Sequence, residues 1–395
     1  MENCKFRITS IDGGICCVDG IYASGVNAGF KKEGNDLGFI RSENEMKISY
    51  VFTSNTFQAA PLKYVLRNGI KKTDFLLANS KNANAMTGEE GISDIEEILE
   101  YLAEKTDVVH PLMSSTGVIG VRIDKQKIKN GIDKFDFNEK NSSAFARAIM
   151  TTDSFEKEIA FEVEGEFGRF KIGGVAKGAG MINPQMATML CFIVTDADIP
   201  EDEMENMLKQ CNEESFNAIS VDGDTSTNDS VFLMTTAKAP YDKEAFKEAL
   251  KQVMLKLATD IVRDGEGATK LVAFEVNGAK NNEEAKTVAK ALTNSLLMKT
   301  ALFGEDPNWG RIASTIGASG VECSEKNLMI KIGNIMVYDR GNILFDVDTE
   351  KKAHGVMTKD SFKITVDLGM GEGSFTAYGC DLSYDYVKIN AEYRT

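Results

Sequence analysis

The sequence predicts a mixed α/β protein built in layers of sheet and helix, with a smaller α/β region toward its C-terminal end. Three observations lead there. Residues 189–194 form an unbroken apolar run of strand length, set between polar stretches near the middle of the 395-residue chain. Residues 271–276 read as another buried strand, and a single helical pattern from Glu283 to about Phe303 follows it, an order that stacks helix on sheet. Phe362, Ile364, Val366 and Leu368 alternate with polar residues, as do Val387 and Ile389, so both stretches are expected as half-buried antiparallel strands.

The other elements follow in chain order. Apolar runs punctuated by Gly13, Gly14, Gly25, Gly29 and Gly38 suggest short strands and turns, and residues 49–53 read as a strand. Residues 79–85 are a polar loop. Ser93 followed three residues later by Glu96 reads as a capping box, so a helix is expected to begin there with Ile95, Ile98, Leu99 and Leu102 inward. Residues 114–120 read as a turn before a strand, 146–150 as the end of a helix, and 167–174 as part of a strand. Pro200 and the acids Glu201, Asp202 and Glu203 open a helix, where negative charge suits the dipole. Its methionines, Met204 and Met207, are core rather than a cofactor contact.

Residues 220–229 are rich in oxygen donors, but their spacing is not that of an EF-hand and no glutamate closes them. They read as a structured loop. A long helix is expected over 243–264 with Phe246, Leu250, Val253, Leu257 and Ile261 inward and Gly265 as its cap. Residues 304–311, which hold the only tryptophan, read as a turn.

Composition narrows the chemistry. A net charge of -15 argues against nucleic acid as a partner, since phosphates need a basic surface. Seven scattered cysteines without a Cys-x-x-Cys suggest neither a zinc site nor a disulfide framework, and no apolar run approaches a membrane span. A cytosolic, reduced protein that does not enter membranes is expected. The only histidines are His110, before Pro111, and His354, expected in an exposed loop. With no Gly-x-Ser-x-Gly elbow either, an acyl-transfer enzyme built on this chain is expected to use a base other than histidine.

Thr188 stands where a polar loop that holds Gly178, Gly180 and Pro184 enters the apolar run 189–194. A threonine that merely starts a strand fits this position. So does a nucleophilic hydroxyl.

The stretch 177–196 resembles the self-cleavage segment of the ornithine acetyltransferases, also called bifunctional glutamate N-acetyltransferases. The resemblance extends over nearly the whole chain, through residues 114–120, 220–229, 264–270, 304–311 and 388–395. It departs only near the start, where residues 16–20 replace the family's proline and Gly-Phe.

The resemblance implies a layered sandwich of the self-processing, N-terminal-nucleophile-like type. It implies self-cleavage between Ala187 and Thr188 into an α chain, 1–187, and a β chain, 188–395, assembled as an α2β2 heterotetramer. Thr188 becomes the nucleophile, and Thr116 and Gly117 the oxyanion hole. Thr152, or its neighbour Thr151, is a substrate contact, as are Lys177, Thr188, Glu266, Asn390 and Thr395. Acetyl would pass from N-acetylornithine to glutamate in arginine biosynthesis, with no cofactor and no metal. Whether acetyl-CoA is a second donor is left open. A self-processing aminopeptidase or amidohydrolase of the same fold, and a non-catalytic binding protein, are the rival readings.

Overall fold

In a computed structural model, residues 6–183 and 189–392 are described; Ala187, Thr188 and Thr395 lie outside the described residues. The chain divides into two units. The first takes Met1–Asn217 and Asp224–Ile261, and the second Ala218–Gly223 and Val262–Thr395.

The first unit carries a nine-stranded sheet. Its strands are β1 (Arg7–Ser10), β2 (Ile21–Val26), β3 (Leu37–Phe52), β4 (Lys72–Asn79), β5 (Pro111–Ser115), β6 (Lys157–Gly165), β7 (Gly168–Lys177) and β8 (Leu190–Ala197). The chain next makes β9 (Ile219–Ser220), part of the second unit, and returns as β10 (Ser230–Ala239). The spatial order is β1-β6-β7-β8-β10-β3-β4-β5, with β2 paired to β3. Its helices are α1 (Ala60–Asn68), α2 (Gly88–Lys105), α3 (Lys125–Ile132), α4 (Ser142–Ile149), α5 (Glu201–Glu213) and most of α6 (Lys243–Arg263).

The sheet is covered on both faces, which is why its strands read as continuous apolar runs. Phe39, Phe75 and Leu77 pack with Ile95, Ile98 and Leu102 of α2. Their neighbours in sequence, Ile40 and Leu76, pack on the other face with Phe145 of α4 and with Phe192 and Phe232. The run 189–194 is the buried strand expected. β8 lies antiparallel to β7 and parallel to β10, with Lys177, Leu190 and Ser230 side by side. The residues on either side of 184–188 thus belong to one sheet.

The second unit carries a seven-stranded sheet of β9 with β11 (Leu271–Ala279), β12 (Met329–Ile332), β13 (Ile335–Asp339), β14 (Asn342–Ile343), β15 (Ser361–Asp367) and β16 (Gly373–Cys380), ordered β14-β13-β12-β15-β11-β16-β9. Its helices are α7 (Asn282–Asn294), α8 (Leu296–Phe303), α9 (Trp309–Ala318), α10 (Val347–Met357) and α11 (Tyr384–Ala391). Ile364 and Val366 of β15 join Val272, Phe274, Val288 and Leu292 in its core. β15 is antiparallel to β12, as expected, but parallel to β11. The mixed α/β class is the one the sequence predicted.

Six local expectations are corrected. The helix expected from Ser93 begins at Gly88, with Glu89 and Glu90 in its first turn. Ser93 is therefore mid-helix, and the Ser-to-Glu spacing is simply that of an exposed face. The helix expected from Glu283 to Phe303 is two, because Ser295 ends α7 and caps α8 by accepting the Met298 amide. His354 lies in α10, where its Nδ1 is 2.9 Å from the Glu305 carbonyl. Val387 and Ile389 lie in α11, whose side chains are all unburied, so no core selects their alternation. The turn at Thr116 follows strand β5 rather than preceding one, and the tryptophan of the expected turn opens α9, capped by Asn308.

No helix among the described residues is long and apolar enough to cross a membrane.

Candidate active site

Thr116 and Gly117 stand just past the end of β5, against the polar loop 79–85. The Thr116 amide donates to the Asn79 carbonyl at 3.0 Å, and the Val118 amide to the Lys81 carbonyl at 3.3 Å. The Asn79 side chain accepts from the Ser115 hydroxyl at 2.7 Å and donates to the Asn82 carbonyl at 2.9 Å. Gly117 has φ +135°, and a Cβ there would collide with the Lys81 and Asn82 backbone, so only glycine fits. Lys81 itself sits at φ +70° and Asn84 at +46°. Left-handed non-glycine residues are costly and are kept where the surroundings enforce them. The loop is thus a rigid support for a buried hydroxyl and a bare peptide.

Lys177 ends β7 and is buried. Its ammonium donates to the Thr151 hydroxyl at 3.1 Å, so the structure joins Lys177 to Thr151, while Thr152 beside it is half-buried. Asp153 completes the group. It accepts from the Lys157 ammonium at 2.8 Å, the Gly178 amide at 2.6 Å and the Thr151 amide at 2.9 Å. Burial would raise the Asp153 carboxyl, but the Lys157 and Lys177 charges and these hydrogen bonds outweigh it and hold it at about 2.

The oxygen-rich loop is the part whose role sequence reasoning left unassigned. Thr225 donates its hydroxyl to the Asn183 carbonyl at 3.1 Å, and the Met189 amide donates to the Asp229 carboxyl at 2.8 Å. The loop therefore holds the chain on both sides of 184–188. Between these two contacts, the Asn228 amide donates to the Ala83 and Ser115 carbonyls at 2.7 and 2.8 Å. One loop ties the flanks of Ala187 and Thr188 to the turn that carries Thr116 and Gly117. Asp229 is fully buried; burial pushes its carboxyl well above the usual range, against the Met189 amide and the Lys177 charge. The run of oxygen donors was a visible signal, but its partners lie 40 to 145 residues away in sequence.

In the second unit, Glu266 is buried just after α6, and the Asn390 side chain of α11 donates to it at 2.8 Å. The Ser383 hydroxyl donates to the Gly267 carbonyl at 2.6 Å. The Thr269 hydroxyl donates to Asp381 at 2.7 Å. These bonds bring the C-terminal helix onto the 264–270 turn. The described residues contain no group of His, Cys, Asp and Glu that could hold a metal ion.

Comparison with known proteins gives concordant matches. Residues 22–395 match the ArgJ family. The arginine biosynthesis bifunctional protein ArgJ of Wolinella succinogenes is 58% identical over 395 residues, covering 99% of this chain and 100% of that one. Its counterpart in Oceanobacillus iheyensis is 41% identical over 410 residues, covering 100% of both. A crystal structure of the Bacillus halodurans protein of the same name is 41% identical, covering 52% of this chain and 100% of that one, with a TM-score of 0.48.

Proposed function

The chain belongs to the ArgJ family and is an acetyltransferase of arginine biosynthesis; from that premise we propose how its residues divide the work. Thr188 attacks the Ala187 carbonyl through its hydroxyl, the peptide shifts from nitrogen to oxygen, and water hydrolyses the ester. This leaves an Ala187 carboxylate and a free Thr188 α-amine. An α-amine has an ordinary pKa of about 8 and is a competent base near neutral pH, beside its own hydroxyl. It does the work that histidine does in other acyl-transfer enzymes.

In turnover, the Thr188 hydroxyl attacks the acetyl carbonyl of N-acetylornithine, and the oxyanion is met by Thr116 and the backbone at Gly117. One such donor typically contributes about 3 kcal/mol. Ornithine leaves with the proton carried by the α-amine, and the amine of glutamate then takes the acetyl group from the threonine ester. Lys177, oriented by Thr151, recognises an anionic substrate group, the α-carboxylate. Thr152 is a further contact. Glu266, held by Asn390, pairs with the ornithine side-chain ammonium, and Thr395 completes the C-terminal contribution. The α chain is 1–187 and the β chain 188–395; two of each form the heterotetramer.

The observation that carries this reading is the loop 225–229, which holds both flanks of the cleavage segment and the oxyanion turn together. Intact mass of the purified protein beside Thr188→Ala tests it. Wild type is expected as two fragments divided between Ala187 and Thr188, active in transfer from N-acetylornithine to glutamate, with the variant whole and inactive. An uncut wild type, or one that hydrolyses peptides and transfers no acetyl, would overturn it.

A further inference from the structure

Self-cleavage poses a problem that turnover does not. The α-amine that serves as base in acetyl transfer is made by the cut, so the uncut chain needs another group to move a proton. The Thr188 hydroxyl must lose a proton, and the amide nitrogen that leaves must gain one. Both histidines are engaged elsewhere: the His110 Nδ1 lies 2.9 Å from a Glu45 carboxylate oxygen, and the His354 Nδ1 lies 2.9 Å from the Glu305 carbonyl. Asp153, held at about 2, is ionised near neutral pH and already accepts from three donors.

Asp229 differs from these. The Met189 amide donates to its Oδ1 at 2.8 Å, and the Ser230 amide donates to the Met189 carbonyl at 3.0 Å, so the residue after Thr188 is held at both backbone groups by the pair 229–230. The Asp229 carbonyl accepts from the Thr53 amide at 3.0 Å, which fixes the backbone behind the carboxyl. The acid is thereby fastened one residue from the scissile bond. Asp229 is 2% exposed, and its second oxygen, Oδ2, has no hydrogen-bond partner among the described residues. Two hydroxyls lie near it, but that of Thr53 donates to the Ser226 carbonyl at 2.8 Å and that of Ser226 accepts from the Asn228 amide at 3.1 Å. Buried polar atoms are nearly always paired, so an unmatched one calls for a role. Burial favours the neutral acid, against the Met189 amide and the charge of Lys177, which is the charged group that faces it. A neutral carboxylic acid can give a proton and then take one.

We propose that Asp229 is the proton carrier of self-cleavage. The Thr188 oxygen bonds to the Ala187 carbonyl carbon. As the bond from that carbon to the Thr188 nitrogen breaks, the Asp229 acid gives its proton to the nitrogen, and the carboxylate so formed takes the proton of the hydroxyl. The step balances: one carbon–oxygen bond forms, one carbon–nitrogen bond breaks, the nitrogen gains the proton that the oxygen loses, and Asp229 ends as it began. Water then hydrolyses the ester. The proposal rests on the self-cleavage reading.

The test follows cleavage of the freshly synthesised full chain by intact mass, wild type beside Asp229→Asn, across the neutral and alkaline range. Asparagine keeps the shape of the side chain and an oxygen for the Met189 amide but has no proton to give. Cleavage is expected to slow by about a hundredfold or more. Wild-type cleavage should slow as pH rises and the acid ionises, and the variant should lack that alkaline fall. Urea unfolding in the Thr188→Ala background, where both chains stay whole, separates chemistry from folding, and Asp229→Asn should leave that midpoint in place. The proposal is overturned by a variant that cleaves at the wild-type rate, by a wild-type rate without an alkaline fall, or by slowed cleavage with a lowered urea midpoint and an unmoved pH profile. Should the variant not fold, the wild-type pH profile decides alone. A wild type that stays whole at every pH overturns the self-cleavage reading itself, and the proposal with it.

Discussion

The residues expected to meet substrate are held in two different ways. Around Thr116, Gly117 and Lys177, side chains are buried and bonded mainly to backbone, and left-handed residues at Lys81 and Asn84 are enforced by their neighbours. Around Glu266, support comes from Asn390 of α11, a helix with no buried side chain, and from Ser383 just before it. The first arrangement belongs to the core of its unit; the second is a surface helix attached by a few polar contacts and the edge-to-face contact of Tyr384 with Phe303. Damage to the first should cost stability and chemistry together, whereas damage to the second should cost recognition alone.

Asn228→Ala should break the comparison most forcefully. It leaves two buried carbonyls, of Ala83 and Ser115, without their donor, at a cost of about 3 kcal/mol. Denaturant unfolding should show that loss, and intact mass should show slowed cleavage at 187–188. A variant that unfolds like wild type would mean that the loop is not the support described.

The pH dependence of stability sharpens the same side. The folded Asp153 carboxyl, at about 2, lies below its ordinary range. Its contribution is therefore complete above pH about 4 and is lost as pH falls toward 2, on the order of 2 kcal/mol. Urea midpoints of wild type and Asp153→Asn should converge through that window; parallel curves would refute the assignment. The smallest effect is expected in the second region. Asn390→Ala should change stability by less than about 1 kcal/mol, as for a surface polar contact, while raising the KM for N-acetylornithine several-fold. Equal loss of stability there would erase the distinction between the two regions.

Legibility followed burial. The run 189–194 could be only an internal element, and it is β8, the strand between β7 and β10. The helix over 243–264 was readable because Phe246, Leu250, Val253, Leu257 and Ile261 are all buried in α6. Where no core selects a face, as in α11, two apolar residues at spacing two were misread as strand. The helix starting at Gly88 was placed too late because Ser93 and Glu96 satisfy a capping pattern that an ordinary helix surface can also produce. At the site, Thr116, Gly117, Lys177 and Glu266 were named through the resemblance, but the pairing of Lys177 with Thr151 and the bonds of Asn228 were not.

The sequence alone determined the α/β class, the main buried elements and the family's order of motifs, because apolar periodicity and local residue types are written along the chain. Tertiary structure decided which distant groups meet: Asn228 with Ser115, Asp229 with Met189, and Lys81 with Gly117. Those pairings depend on strand order and register, which set distances between residues that no local pattern relates.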